Sequence, residues 1–164
     1  MKSLTYNFLN LIYLGENMAD TLKLIPEELK EGTFNGVGIF ERGGENVNYA
    51  AYFTGTSYLA LLNQPGVLVA NITFEPGCRN HWHIHHKGGQ ILLVTAGHGW
   101  YQEAGQAARE LFAGDVVYIA PGVKHWHGAA KDSWFAHVGI EIPAEGASNE
   151  WLEPVSDEHY LKLQ

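Results

Sequence analysis

Cysteine is nearly missing from this chain: Cys78 stands alone, so no internal disulfide can form, and a reducing, cytoplasmic setting is expected. Basic residues are also sparse. Ten Lys and Arg stand against 18 Asp and Glu, giving a net charge of −8, and the ten are scattered along the chain. Nucleic-acid binding would want a basic stripe, so no nucleic-acid partner is expected. No long hydrophobic run occurs either. Leu4 to Leu14 is mildly apolar but too short to span a bilayer, and it lacks a small-residue cleavage site. Neither a membrane partner nor secretion is therefore expected; the segment reads as a tail, with Met18 beginning a more ordinary N-terminus. Internal repeats and low-complexity stretches are absent.

Glycine and histidine are plentiful instead. The 19 glycines and 17% charged residues in 164 suit short strands joined by tight turns better than a helical bundle. Residues 1–35 are expected to form a tail and one short helix, Leu22 to Glu31, opened near Pro26 and stopped by Gly32. Residues 36–164 are expected to form a single domain, with its barrel core over about 67–142. The pattern predicts strands at Tyr49–Phe53, Tyr58–Leu62, Val67–Phe74, Asn80–His85, Ile91–Thr95, Gly99–Glu103, Ala107–Leu111, Val116–Ile119, His125–Ala129 and Trp134–Ile142. Pro65-Gly66, Pro76-Gly77, Gly88-Gly89, Ala104-Gly105, Ala113-Gly114-Asp115 and Pro121-Gly122 mark the turns. After Ile142 the strand pattern dissolves, and a terminal helix is expected near Ser156–Leu163. Short strands at this spacing imply a sandwich or a closed barrel.

Most of the nine histidines fall between His81 and His127. His83 and His85 are two apart on a predicted strand, so both rings leave one face, with Cα atoms roughly 6.5 Å apart. From that span two imidazoles can share one ion at about 2.0–2.2 Å each. Gln90 opens the next strand after the Gly88-Gly89 turn, where a hairpin can fold it beside the pair. His125 follows Gly122, where a barrel can bring it over the same spot.

Gly77, His83, His85, Gln90 and Gly97 resemble the first cupin motif in full spacing, with glutamine where glutamate is usual. Gly114, Ala120-Pro121-Gly122 and His125 resemble the second, with alanine at the first usual proline. That resemblance implies an all-β fold: a double-stranded β-helix, or jelly-roll, barrel with short helices at either end and a metal inside. Trp82-His83, Val94-Thr95-Ala96-Gly97, Gly99-Trp100, Lys124-His125-Trp126-His127-Gly128-Ala129-Ala130 and His137 narrow the likeness to small bacterial manganese cupins, which include cupin-type hydroxynitrile lyases. It implies metal ligands at His83, His85, Gln90 and His125, a general base at His137, and a homodimer. His127 shares a strand face with His125, so it is expected either to support the catalytic site or to pack the barrel. Lys87-Gly88-Gly89 makes the turn before Gln90 one residue longer than in some relatives.

Manganese is the ion the resemblance favours, one per chain; the ligand types would also accept iron, nickel, zinc or cobalt. An amide in place of a carboxylate leaves the site one unit more positive and tilts it toward Lewis-acid chemistry. It also departs from the two-histidine, one-carboxylate triad of ferrous oxygenases. The expected function is therefore a metal-dependent enzyme, lyase-like, acting on a small hydroxy or carbonyl compound. A dioxygenase of a phenolic or enediol substrate and a non-enzymatic small-molecule binding or sensing module are the alternatives. His81 and His86 are expected at the rim or surface, and His98 and His159 in solvent.

Overall fold

A computed structural model describes residues 38–163. The expected tail and the helix Leu22 to Glu31 lie outside these residues. Among the described residues twelve strands form, and every strand pair is antiparallel. One sheet runs in the order β1 (Gly44–Glu45), β3 (Ser57–Asn63), β4 (Val69–Phe74), β11 (Phe135–Glu141), β7 (Gln90–Glu103) and β9 (Val116–Ile119). The other joins β2 (Phe53–Thr54), β5 (Arg79–Asn80), β10 (Lys124–Ala129), the far half of β7 and β8 (Arg109–Phe112). β6 (His83–His86) lies on β10 and is flanked by β12 (Ser148–Trp151). The fold is the expected all-β jelly-roll barrel.

β7 belongs to both sheets and bends between them at Gly97. Its φ of 75° suits glycine, and a Cβ there would lie 1.9 Å from the Trp134 carbonyl oxygen. The two strands expected at Ile91–Thr95 and Gly99–Glu103 are therefore one bent strand. Phe74, Leu92, Leu111, Ile119 and Phe135, all fully buried, centre the barrel core. Apolar burial at about 25 cal/mol per Å² makes this cluster the main stabilising contribution.

β10 is buried on both faces. His125, His127 and Ala129 share the inner face by strand parity, while Trp126 faces out beneath Val155 and Tyr160. Those two come from the C-terminal segment, whose helix spans only Asp157–Tyr160, shorter than the expected Ser156–Leu163. Arg79 ties it down: the guanidinium donates to the Val155 carbonyl at 3.1 and 3.3 Å and stacks 4.3 Å from the Tyr160 ring centre. The expected strand Tyr49–Phe53 is mostly a 3-10 helix, Val47–Tyr52; among the described residues the segment meets a strand partner only where Phe53 pairs with Asn80. Strand β12 was not expected, since Ser148, Asn149 and Glu150 present no apolar face. No helix among the described residues is long and apolar enough to cross a membrane.

Candidate metal centre

Strand parity turns His83 and His85 to the inner side of β6, and the register sets His125 of β10 directly opposite His83. The three histidines each offer a ring nitrogen, and these atoms all lie within 4.8 Å of one another. All three side chains are buried. Their tautomers follow from the outer nitrogen of each ring, which meets an oxygen. His83 Nδ1 donates to the His81 carbonyl at 2.9 Å, and His125 Nδ1 to the Val123 carbonyl at 3.0 Å. His85 Nδ1 donates to Asn149 Oδ1 at 2.8 Å, with Glu141 Oε2 at 3.1 Å. A proton on Nδ1 leaves the Nε2 lone pair free on each ring.

Burial keeps the His83 and His125 rings neutral. It holds the His83 pKa well below the ordinary value, with the neighbouring His125 adding to the effect, and pushes His125 down to about 4. Gln90 stands at the start of β7, after a turn in which Lys87 takes a φ of 70° and Gly88 passes so close to the Ile142 carbonyl that a Cβ would lie 2.1 Å from it. Its Nε2 donates to Glu141 Oε1 at 2.6 Å. His85 Nε2, His125 Nε2 and Gln90 Oε1 are buried without a hydrogen-bond partner. Buried polar atoms of this kind call for a ligand. Imidazoles that turn Nδ1 toward oxygen acceptors and Nε2 inward, together with an amide oxygen, fit a divalent cation.

His137 of β11 and His127 of β10 lie deeper. Their rings pack edge to face, 4.8 Å between centres, and both pack on Phe74. Asn80 fixes His127 from two sides: its Nδ2 donates to His127 Nε2 at 3.0 Å, and its Oδ1 accepts the His127 backbone N–H at 2.9 Å. Neither ring nitrogen of His137 has a hydrogen-bond partner. Burial pushes its pKa down to about 3 and holds His127 well below the usual histidine range. A cavity of about 330 Å³ is lined by His83, His85, Gln90, His127 and His137 together with the apolar Leu59, Leu61, Ala70 and Ile72. That size and mix suit a small organic molecule.

The sequence reading missed the residues behind the ligands. In register, Asn149 and Trp151 of β12 face His85 and His83, and Glu141 of β11 faces Gln90. Trp151 stacks on His83, ring centres 4.7 Å apart. The carboxylate absent from position 90 is thus present next to it. His98 and His159 are not in solvent as expected. His98 stacks on Phe112 with centres 4.6 Å apart, and His159 Nε2 donates to Gln102 Oε1 at 2.7 Å; both are half-buried because aromatic and amide neighbours on other strands cover them. His81 and His86 are half-buried, with His86 paired to Glu150 at 2.8 Å.

Comparison with known proteins agrees with this fold. The cupin domain family matches residues 70–138. The chain is 46% identical over 117 residues to an (R)-mandelonitrile lyase of Granulicella tundricola, covering 69% of this chain and 88% of that protein. It is 46% identical to a cupin-like protein of Thermotoga maritima, whose crystal structure superposes with a TM-score of 0.70 over 76% of this chain and 95% of that one. The DMSP lyase DddQ of Ruegeria pomeroyi is a likeness of fold alone, with 16% identity, a TM-score of 0.52, and coverage of 68% of this chain and 57% of that one.

Proposed function

The chain belongs to the cupin family, and from that premise we propose that it is a metal-dependent lyase that breaks or forms the carbon–carbon bond of a small cyanohydrin-like or aldol-like compound. The observation that carries this reading is the convergence of His83, His85, Gln90 and the neutral, unpartnered His137 on one apolar-walled cavity. The 46% identity to a mandelonitrile lyase supports it. A divalent ion, manganese in this proposal, would supply Lewis acidity toward the substrate oxygen and stabilise negative charge there.

The protein's own groups divide the remaining work. His83, His85, His125 and Gln90 would hold the ion. The unprotonated ring nitrogen of His137 takes the hydroxyl proton. As the carbonyl forms, the carbon–carbon bond breaks, its electron pair leaves on the cyanide carbon, and the same proton passes from His137 to that leaving group. Asn80 fixes the ring of His127 beside His137, so the base keeps one orientation. Leu59, Ala70 and Ile72 present apolar surface to the cavity and receive the carbon skeleton.

The test is to incubate manganese-loaded protein with racemic mandelonitrile, following benzaldehyde release by absorbance and dissolved oxygen with an electrode. Aldehyde release that needs the metal and consumes no oxygen is expected. Oxygen uptake on phenolic or enediol substrates would move the assignment to a dioxygenase. Ligand binding with no turnover of any hydroxy or carbonyl compound would make the protein a binding module.

A further inference from the structure

We propose that Glu141 is a positioning residue for Gln90: its carboxylate locks the amide with Oε1 toward the three histidines and returns, one layer out, the negative charge that position 90 lacks. The inference rests on the reading of this cluster as a metal site. Three observations carry it. Glu141 and Gln90 are direct cross-strand partners on β11 and β7, so the backbone itself brings the side chains together. Gln90 Nε2 donates to Glu141 Oε1 at 2.6 Å, and Gln90 Oε1 is left buried and unpartnered. Glu141 Oε2 also stands 3.1 Å from His85 Nδ1, so one carboxylate backs two of the four candidate ligands.

The chemistry follows from what each group can do. An amide presents an oxygen on one side and an NH₂ on the other, and only its partners decide which way it faces. A carboxylate is solely an acceptor, so Glu141 can meet only the NH₂ side. The ligand atom is thereby chosen before any ion arrives. A glutamine at position 141 could either accept from Gln90 or donate to it, and the choice would be lost. The charge matters as well, because an acceptor carboxylate polarises the amide and the imidazole and makes both better donors to a cation.

The experiment measures Mn(II) affinity of the whole protein by competition with a chelator, and the Mn(II) electron paramagnetic resonance line shape, for a set of variants. Glu141→Gln should weaken binding by about tenfold or more and broaden the resonance as the Gln90 amide samples two orientations. Gln90→Glu should also bind more weakly, since two carboxylates then face each other across the strand pair. The swap Gln90→Glu/Glu141→Gln restores one carboxylate and one amide, and it should return affinity to within about threefold of the original. Affinity and line shape unchanged in Glu141→Gln would overturn the proposal, as would a double variant no better than the summed losses of the single ones. The side chain of Glu141 is 30% exposed and glutamine is its isostere, so folding is retained; circular dichroism checks it. The unmodified protein separates the two readings. Failure to take up one Mn(II) per chain sinks the metal site itself, whereas normal uptake with indifferent Glu141 variants sinks only this assignment.

Discussion

Replacing His137 by phenylalanine should make the metal-free protein more stable and the enzyme far slower. His137 is fully buried, and neither ring nitrogen has a hydrogen-bond partner. A buried polar group left unpaired costs about 1–3 kcal/mol. Phenylalanine removes that cost and meets neighbours suited to it, with Phe74 and Phe135 both 5.7 Å away between ring centres. Its ring is larger by one atom, and overpacking in a tight core opposes the gain by about 1 kcal/mol or more. Here the cavity in front of His137 takes part of the added volume. The balance is a stabilisation of about 1 kcal/mol, or about 2–4 °C in Tm for a chain of this size. Turnover of mandelonitrile should fall by about 10²–10⁴-fold, the range for losing a general base. Scanning calorimetry of metal-free protein, metal analysis and a steady-state aldehyde assay on the same preparation measure all three quantities. A fall in Tm by several degrees would mean that His137 is a satisfied core residue. Undiminished turnover with full metal content would remove it from the mechanism.

Three further outcomes are expected. Asn149→Leu removes the 2.8 Å acceptor of His85 Nδ1 and should weaken Mn(II) binding about tenfold in chelator competition, with Glu141 limiting the loss. Gly97→Ala drives a Cβ to 1.9 Å from the Trp134 carbonyl at a φ of 75°, and should cost about 3 kcal/mol or more in urea unfolding or abolish soluble expression. Metal-free protein should lose stability in acid. The pKa values of His125 and His137 lie at about 4 and about 3 in the fold, below the 6.5 of free histidine, so between those limits the unfolded chain binds more protons. Stability is then full above pH 6.5 and falls as pH drops toward the folded values, at up to about 1.4 kcal/mol per pH unit for each group. Urea midpoints at successive pH values measure this slope, and His137→Phe should flatten it.

How much of this could be read from the sequence depended on how far apart the partners lie along the chain. His83 and His85 declare themselves because two residues of one strand share a face, a property of local geometry. Gln90 and His125 were reached only through the turns preceding them and the family likeness. Asn149 and Glu141 were out of reach, since they meet His85 and Gln90 across 64 and 51 residues through strand register. Register becomes legible when an apolar face must be buried. Ser148, Asn149 and Glu150 of β12 are exposed and offer no such face. The bend at Gly97 was misread as a gap for a related reason: a left-handed glycine looks like a turn, although here the strand continues through it into the second sheet.

The stacking of Trp151 on His83 gives the protein an optical readout of its own. An indole 4.7 Å from a candidate ligand ring lies within quenching range of any ion bound there, and among the described tryptophans it is the one whose ring contacts these histidines. A paramagnetic ion such as Mn(II) should dim its emission while Zn(II), with a closed shell, should leave most of it. Trp151→Phe would isolate that signal from the background of the other four tryptophans. Ordinary fluorescence titration could then report occupancy, exchange and metal identity without a label, in a dilute and unmodified sample.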